Sequence, residues 1–149
     1  MIFRTVLAVS AIAIGVTAAF AQQDAVKARK DLMSSNGKQF YGVLGRIQRG
    51  QEPYDQAKID AAFATLADES KKVEAAFTPN MMPSAPSDYD ASAKIWQNKA
   101  DFDAKAANFV KAVADNRGAA KNVETLKVAY QNINNSCNAC HETYRVKNK

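Results

Sequence analysis

The chain has 149 residues, with 20 Lys or Arg against 15 Asp or Glu and a formal net charge of +5. That length accommodates one domain with a single core. The modest positive charge contains no long cationic run, which argues against a nucleic-acid partner.

Residues 1–21 predict a secretory signal peptide. Arg4 is the only charge there, residues 6–20 are almost uninterrupted apolar or small side chains, and Ala19-Phe20-Ala21 places small residues at the cleavage positions. The apolar run is about fifteen residues against the roughly twenty that span a bilayer, so a removed signal fits better than an anchor. The mature domain is expected to be residues 22–149, beginning at Gln22, without stable membrane insertion after signal removal. Losing Arg4 lowers the net charge from +5 to +4. The basic C-terminal residues Arg145, Lys147 and Lys149 read first as solvated charges matched to a helix end, and second as a lure for acidic partners.

The rest of the chain lacks strand-like alternation, has 6 glycines, and is rich in strong helix formers. A first helix over about residues 24–49 aligns Val26, Met33, Phe40, Leu44 and Ile47 on one face, with Gly50 and Pro53 to end it. A second, residues 55–77, carries Ile59, Phe63, Leu66, Val73 and Phe77 before Pro79. Residues 78–91 contain Pro79, Pro83 and Pro86 and form the one long connection, because proline lacks the donor a helix needs. A third helix, residues 92–116, repeats the pattern with Ile95, Phe102, Ala106, Phe109 and Val113, and Gly118 is placed to stop it. The fourth, residues 122–146, has the stripe Val123, Leu126, Tyr130, Ile133, Cys137, Cys140 and Tyr144. These elements predict an all-α, antiparallel up-and-down four-helix bundle with its cofactor near the C-terminus.

The two cysteines and the one histidine all fall in Cys137-Asn138-Ala139-Cys140-His141, the C-x-x-C-H pattern of covalent haem attachment. Spacings of three and four residues send all three side chains toward one side of a helix. Two thioether bonds can then hold the porphyrin edge while the imidazole reaches the iron. A disulfide leaves His141 unexplained, a thioredoxin-type motif belongs at a helix start in a strand-rich chain, and zinc needs a fourth ligand. The expected cofactor is one covalently bound haem c.

A haem motif at the end of a four-helix chain resembles the cytochrome c' superfamily, the class II c-type cytochromes. The likeness spans the mature chain and rests on Cys137-Asn138-Ala139-Cys140-His141-Glu142-Thr143-Tyr144-Arg145 in the last helix and on residues 25–33, Ala-Val-Lys-Ala-Arg-Lys-Asp-Leu-Met, in the first. In this family the distal position on the first helix separates five-coordinate from six-coordinate iron, and here that position matches Met33. The chain thus resembles the low-spin, methionine-ligated branch typified by cytochrome c-556. The segment Pro53-Tyr54-Asp55-Gln56-Ala57 and the pair Ile95-Trp96 are also similar to that branch.

Beside that resemblance, Met33 lies on the apolar stripe, with Arg29 one turn before and Gly37 one turn after. Arg29 suits a haem propionate, and Gly37 leaves room for a flat macrocycle. Met81 and Met82 are rival thioether donors, but a proline-flanked loop pays more ordering entropy than a helix already facing the core. Phe40, Trp96, Phe102, Phe109 and Tyr144 read as core aromatics without a specific site role. For Arg145 the resemblance implies a place near the proximal face, and a helix-end cation is an equal reading.

Histidine and methionine together saturate the iron, which suits an electron carrier in the periplasm and not an enzyme. The alternative is a five-coordinate site that binds nitric oxide or carbon monoxide. Catalysis is disfavoured because the one histidine is already an axial ligand and no distal acid or base stands out. Redox partner proteins are implied without being identified, and a homodimer is left open.

Overall fold

The structure, a computed structural model, describes residues 7–77 and 89–148, with side chains from Gln22 onward. The first helical arm is α1 (Leu7–Gly37), a π-helical stretch (Lys38–Leu44) and α2 (Gly45–Gln48). The second is α3 (Gln56–Ser70) and α4 (Val73–Ala76), the third is α5 (Lys94–Gln97) and α6 (Lys99–Arg117), and the fourth is α7 (Val123–Tyr144). Together they form the four-helix bundle expected from the periodicity. The expected signal segment falls partly outside the described residues and partly, from Leu7, in the backbone of α1. Met81 and Met82 lie outside the described residues.

Local chemistry sets the ends of these arms. Gly50 takes φ +71, a left-handed conformation that costs glycine little, and turns the chain out of the first arm. Asp55 caps α3 by accepting the Lys58 amide at 3.1 Å. Asn122 caps α7 through a reciprocal box: its Oδ1 accepts the Thr125 amide at 2.8 Å, and Thr125 Oγ1 accepts the Asn122 amide at 3.1 Å. Such caps contribute about 1 kcal/mol each. Gly118 follows α6 with φ −85, so the helix stops there without using a glycine-only conformation.

Two clusters of apolar side chains make up the core. One gathers Phe40, Leu44, Ile47, Ile59, Phe63, Leu66, Val113, Leu126 and Ile133, all buried. The other gathers Val73, Phe77, Ile95, Phe102, Ala106 and Tyr144, with Leu32, Met33, Trp96 and Cys140 packed against it. Burying each large side chain stabilises the fold by about 1.5–3 kcal/mol. The predicted stripes therefore do face the core.

Three features depart from the expected helices. The π-helical stretch widens the first arm just after Gly37, and the Gly45 amide closes it by donating to Phe40 O. A Cβ on Gly45 would lie 3.2 Å from that carbonyl and 3.3 Å from Cε2 of Tyr130, so glycine permits the close approach of the first arm to α7. The fourth helix ends at Tyr144 and not at residue 146, because Arg145 is extended at φ −106 and ψ 130. Its continuation, β2 (Arg145–Lys147), pairs antiparallel with β1 (Tyr89–Ala91), the last part of what reads as loop in the sequence. The Ser92 amide, donating to Tyr144 O at 2.9 Å, extends the pairing toward α7.

Candidate haem site

Periodicity on α7 turns Cys137, Cys140 and His141 toward the first arm, where Met33 and Gly37 of α1 face them across one cavity of about 550 Å³. The wall is chiefly apolar and includes Phe40, Leu66, Phe77, Phe102, Phe109 and Tyr144. Four of the five aromatic residues read as plain core therefore border the site. Phe40 is held flat against Tyr130 at 4.1 Å between ring centroids and 5° between planes.

Arg29 is also on the wall and is only 4 % exposed. Its guanidinium carbon sits 5.4 Å from the Phe77 ring centroid and 5.5 Å from that of Trp96. The Trp96 indole is oriented by donating to Phe77 O at 3.0 Å. Trp96 thus supports the site by fixing Arg29, a role its position beside Ile95 did not disclose. Burial lowers the Arg29 pKa from its usual value.

The electrostatics of the motif suit ligation and not thiol redox chemistry. Burial, with the nearby Arg145 cation adding to it, brings His141 down to about 4, so the imidazole is neutral at physiological pH and keeps a lone pair. Burial pushes Cys137 and Cys140 up to about 11, opposite to the depressed values of reactive C-x-x-C thiols. The two cysteines are not joined to each other. They lie late in α7, far from the helix start that a thioredoxin-type motif uses. Among the described residues no group of three or more His, Cys, Asp or Glu side chains is arranged to hold a bare metal ion.

The ribbon closes one edge of the site in a way the sequence did not indicate. Asp90 on β1 accepts an ion pair from Lys30 of α1 at 3.0 Å and a hydrogen bond from Asn148 Nδ2 at 2.6 Å. Arg145 lies 4.8 Å over the Tyr89 ring. Asp90, Tyr89, Lys30 and Arg145 all border the cavity, and Arg145 stands near His141.

The cavity fits a flat macrocycle. A Cβ built on Gly37 meets nothing within 4 Å, so that stretch of α1 presents bare backbone to open space opposite the cysteines. The apolar wall, one buried cation and a neutral imidazole match the needs of a porphyrin with carboxylate side chains.

A four-helix bundle with an attachment motif facing such a cavity defines a c-type cytochrome of the helical-bundle class. The cytochrome c' family model matches residues 24–145, and the chain belongs to that family. Cytochrome c-556 from Rhodopseudomonas palustris is 40% identical over 146 residues, covering 97% of each chain. Cytochrome c-555 from Bradyrhizobium diazoefficiens is 39% identical over 147 residues, covering 98% of this chain and 99% of its own. Among solved structures, the NMR-validated structural model of oxidized R. palustris cytochrome c556 superposes with a TM-score of 0.74 at 39% identity, over 85% of this chain and 99% of its own. The protein is a monohaem c-type cytochrome carrying one covalently attached haem c.

Proposed function

We propose that this cytochrome is a periplasmic electron carrier with a six-coordinate, low-spin haem. Cys137 and Cys140 form the thioether bonds, His141 is the proximal ligand, Met33 is the distal ligand, and Arg29 contacts a propionate. The observation that carries this reading is the meeting of Met33 with Cys137, Cys140 and His141 on one cavity.

When bound, the haem supplies a one-electron ferric/ferrous couple, whose potential a thioether ligand raises. The chain's own part is to hold the site still. The His141 imidazole is neutral and needs no proton loss before ligation. Met33 is carried on a helix packed into the core, so its sulfur is presented with little ordering cost. Arg29, fixed between two rings, places a positive charge at the site without rearrangement. Apolar walls keep the local dielectric low, which limits reorganisation between oxidation states. The signal-like residues 1–21 support export, and no helix among the described residues is long and apolar enough to cross a membrane.

Visible and near-infrared spectra of the purified holoprotein, with and without carbon monoxide, test the assignment. A ferric sulfur-to-iron band, a sharp ferrous alpha band and no carbon monoxide shift are expected. Met33→Ala should lose the band and gain the shift. A wild-type spectrum that is high-spin and shifts with carbon monoxide would make gas binding the function instead.

A further inference from the structure

Asn36 lies one turn beyond Met33 on the cavity wall and is 8% exposed. Its Nδ2 donates to Leu32 O at 3.0 Å, which commits the positive end of the amide to the helix backbone. Oδ1 is buried and has no donor among the described residues. Such an orphaned acceptor costs roughly 1–3 kcal/mol, so an apolar residue would serve the fold better unless the oxygen has a task. Reversing the amide gives no relief, because Oδ1 would then face another carbonyl oxygen. Filling the cavity with haem does not supply a donor either, since ionised propionates only accept hydrogen bonds.

We propose that Asn36 is a positioning residue for charge: its buried carbonyl end lowers the reduction potential of the haem by favouring the ferric state. This rests on the reading that the haem occupies this cavity with Met33 at the iron. With His and Met as neutral ligands, the iron–porphyrin unit is one charge more positive when oxidised. A fixed negative dipole end in a low-dielectric wall stabilises that form more than the reduced one. Three residues along a helix is a rise of about 4.5 Å, so Asn36 and Met33 lie within about one turn of each other on the same cavity wall. The remaining charges on that side act the other way: Arg29, and Lys30 insofar as Asp90 does not offset it, favour the ferrous form. Asn36 thus counterweights the cations, and the distal helix carries both influences.

The test is spectroelectrochemical titration of the holoprotein and of Asn36→Leu, Asn36→Ala and Asn36→Asp, with the sulfur-to-iron band recorded for each. Asn36→Leu is expected to shift the ferric/ferrous ratio at a given applied potential about tenfold toward ferrous, about 59 mV for one electron. Asn36→Ala removes the same oxygen and should move in the same direction, and it carries the test alone if leucine prevents haem loading. Asn36→Asp retains an acceptor oxygen and should stay at or below the wild-type potential. An unchanged or lower potential in Asn36→Leu, or in Asn36→Ala where leucine prevents haem loading, with the band intact, overturns the proposal. A wild-type protein lacking the band would instead remove the Met33 reading, a separate outcome from the potential difference between Asn36 variants.

Discussion

Tyr144 donates a 2.6 Å hydrogen bond to Oδ2 of Asp101, joining the last turn of α7 to the first turn of α6 just beyond the haem motif. The Tyr144 ring is 3% exposed and packs edge-on against Phe102, with centroids 5.4 Å apart. Burial, reinforced by the Asp101 carboxylate, pushes the phenol up to about 12. An unfolded tyrosine titrates near 10. Between those values the folded protein keeps a proton that the unfolded chain has lost, so this part of the stability is complete below about pH 10 and fades as pH rises toward 12. Tyr144→Phe should cost about 1–2 kcal/mol at neutral pH by denaturant unfolding of the holoprotein. It should also flatten the alkaline loss of stability; a variant with the wild-type alkaline slope would assign that slope to other groups.

Gly37 separates the needs of the helix from those of the cofactor. Its φ of −61 and ψ of −40 are ordinary helical values that alanine adopts without strain. Gly37→Ala should therefore make the haem-free protein more stable by about 0.5–1 kcal/mol, measured by thermal unfolding. In the holoprotein the new methyl projects toward the macrocycle, so the fraction of chains loaded with haem should fall. Full loading with an unchanged spectrum would show that the ring does not lie against this part of α1.

Arg29 is held by two aromatic faces, and its removal takes a buried positive charge from the haem cavity. Arg29→Leu should destabilise the holoprotein by about 1–2 kcal/mol through lost cation–π contacts. It should also lower the reduction potential, because a nearby cation disfavours the more positive ferric form. A potential equal to wild type would place the propionates elsewhere. The shift is opposite in sign to that expected for Asn36→Leu, so the pair tests whether the two residues oppose each other.

Much of the architecture was legible because amphipathic periodicity is a local property. Ile59, Phe63 and Leu66 recur at helical spacing and are fully buried, and the fourth helix expected from about residue 122 does start there, with Asn122 as its N-cap. The ribbon was not legible: each strand is three residues, and its partners Tyr89 and Lys147 are far apart in sequence, so neither carries a period that can be read. The π-helical stretch was hidden for a related reason. Phe40, Leu44 and Ile47 fit an α-helical stripe well enough, and the wider turn shows only in backbone hydrogen bonds such as that from the Gly45 amide to Phe40 O. Trp96 read as plain core because its hold on Arg29 joins residues far apart in sequence, and the buried, unanswered carbonyl of Asn36 is a result of packing that no residue pattern shows.

Cys137, Cys140 and His141 had to share one side of a helix once residues 123–144 were helical, since spacings of three and four leave no other arrangement. The haem chemistry and the bundle class follow from that local geometry and from the four stripes. That Met33 faces the same cavity, that Lys30 reaches Asp90, and that Tyr144 finds Asp101 depend on how α1, α6, α7 and the ribbon pack together. Those contacts join residues separated by 43 to more than 100 positions. No residue pattern along the chain encodes such distances, because they arise when apolar faces are removed from water together and the bundle settles into one packing.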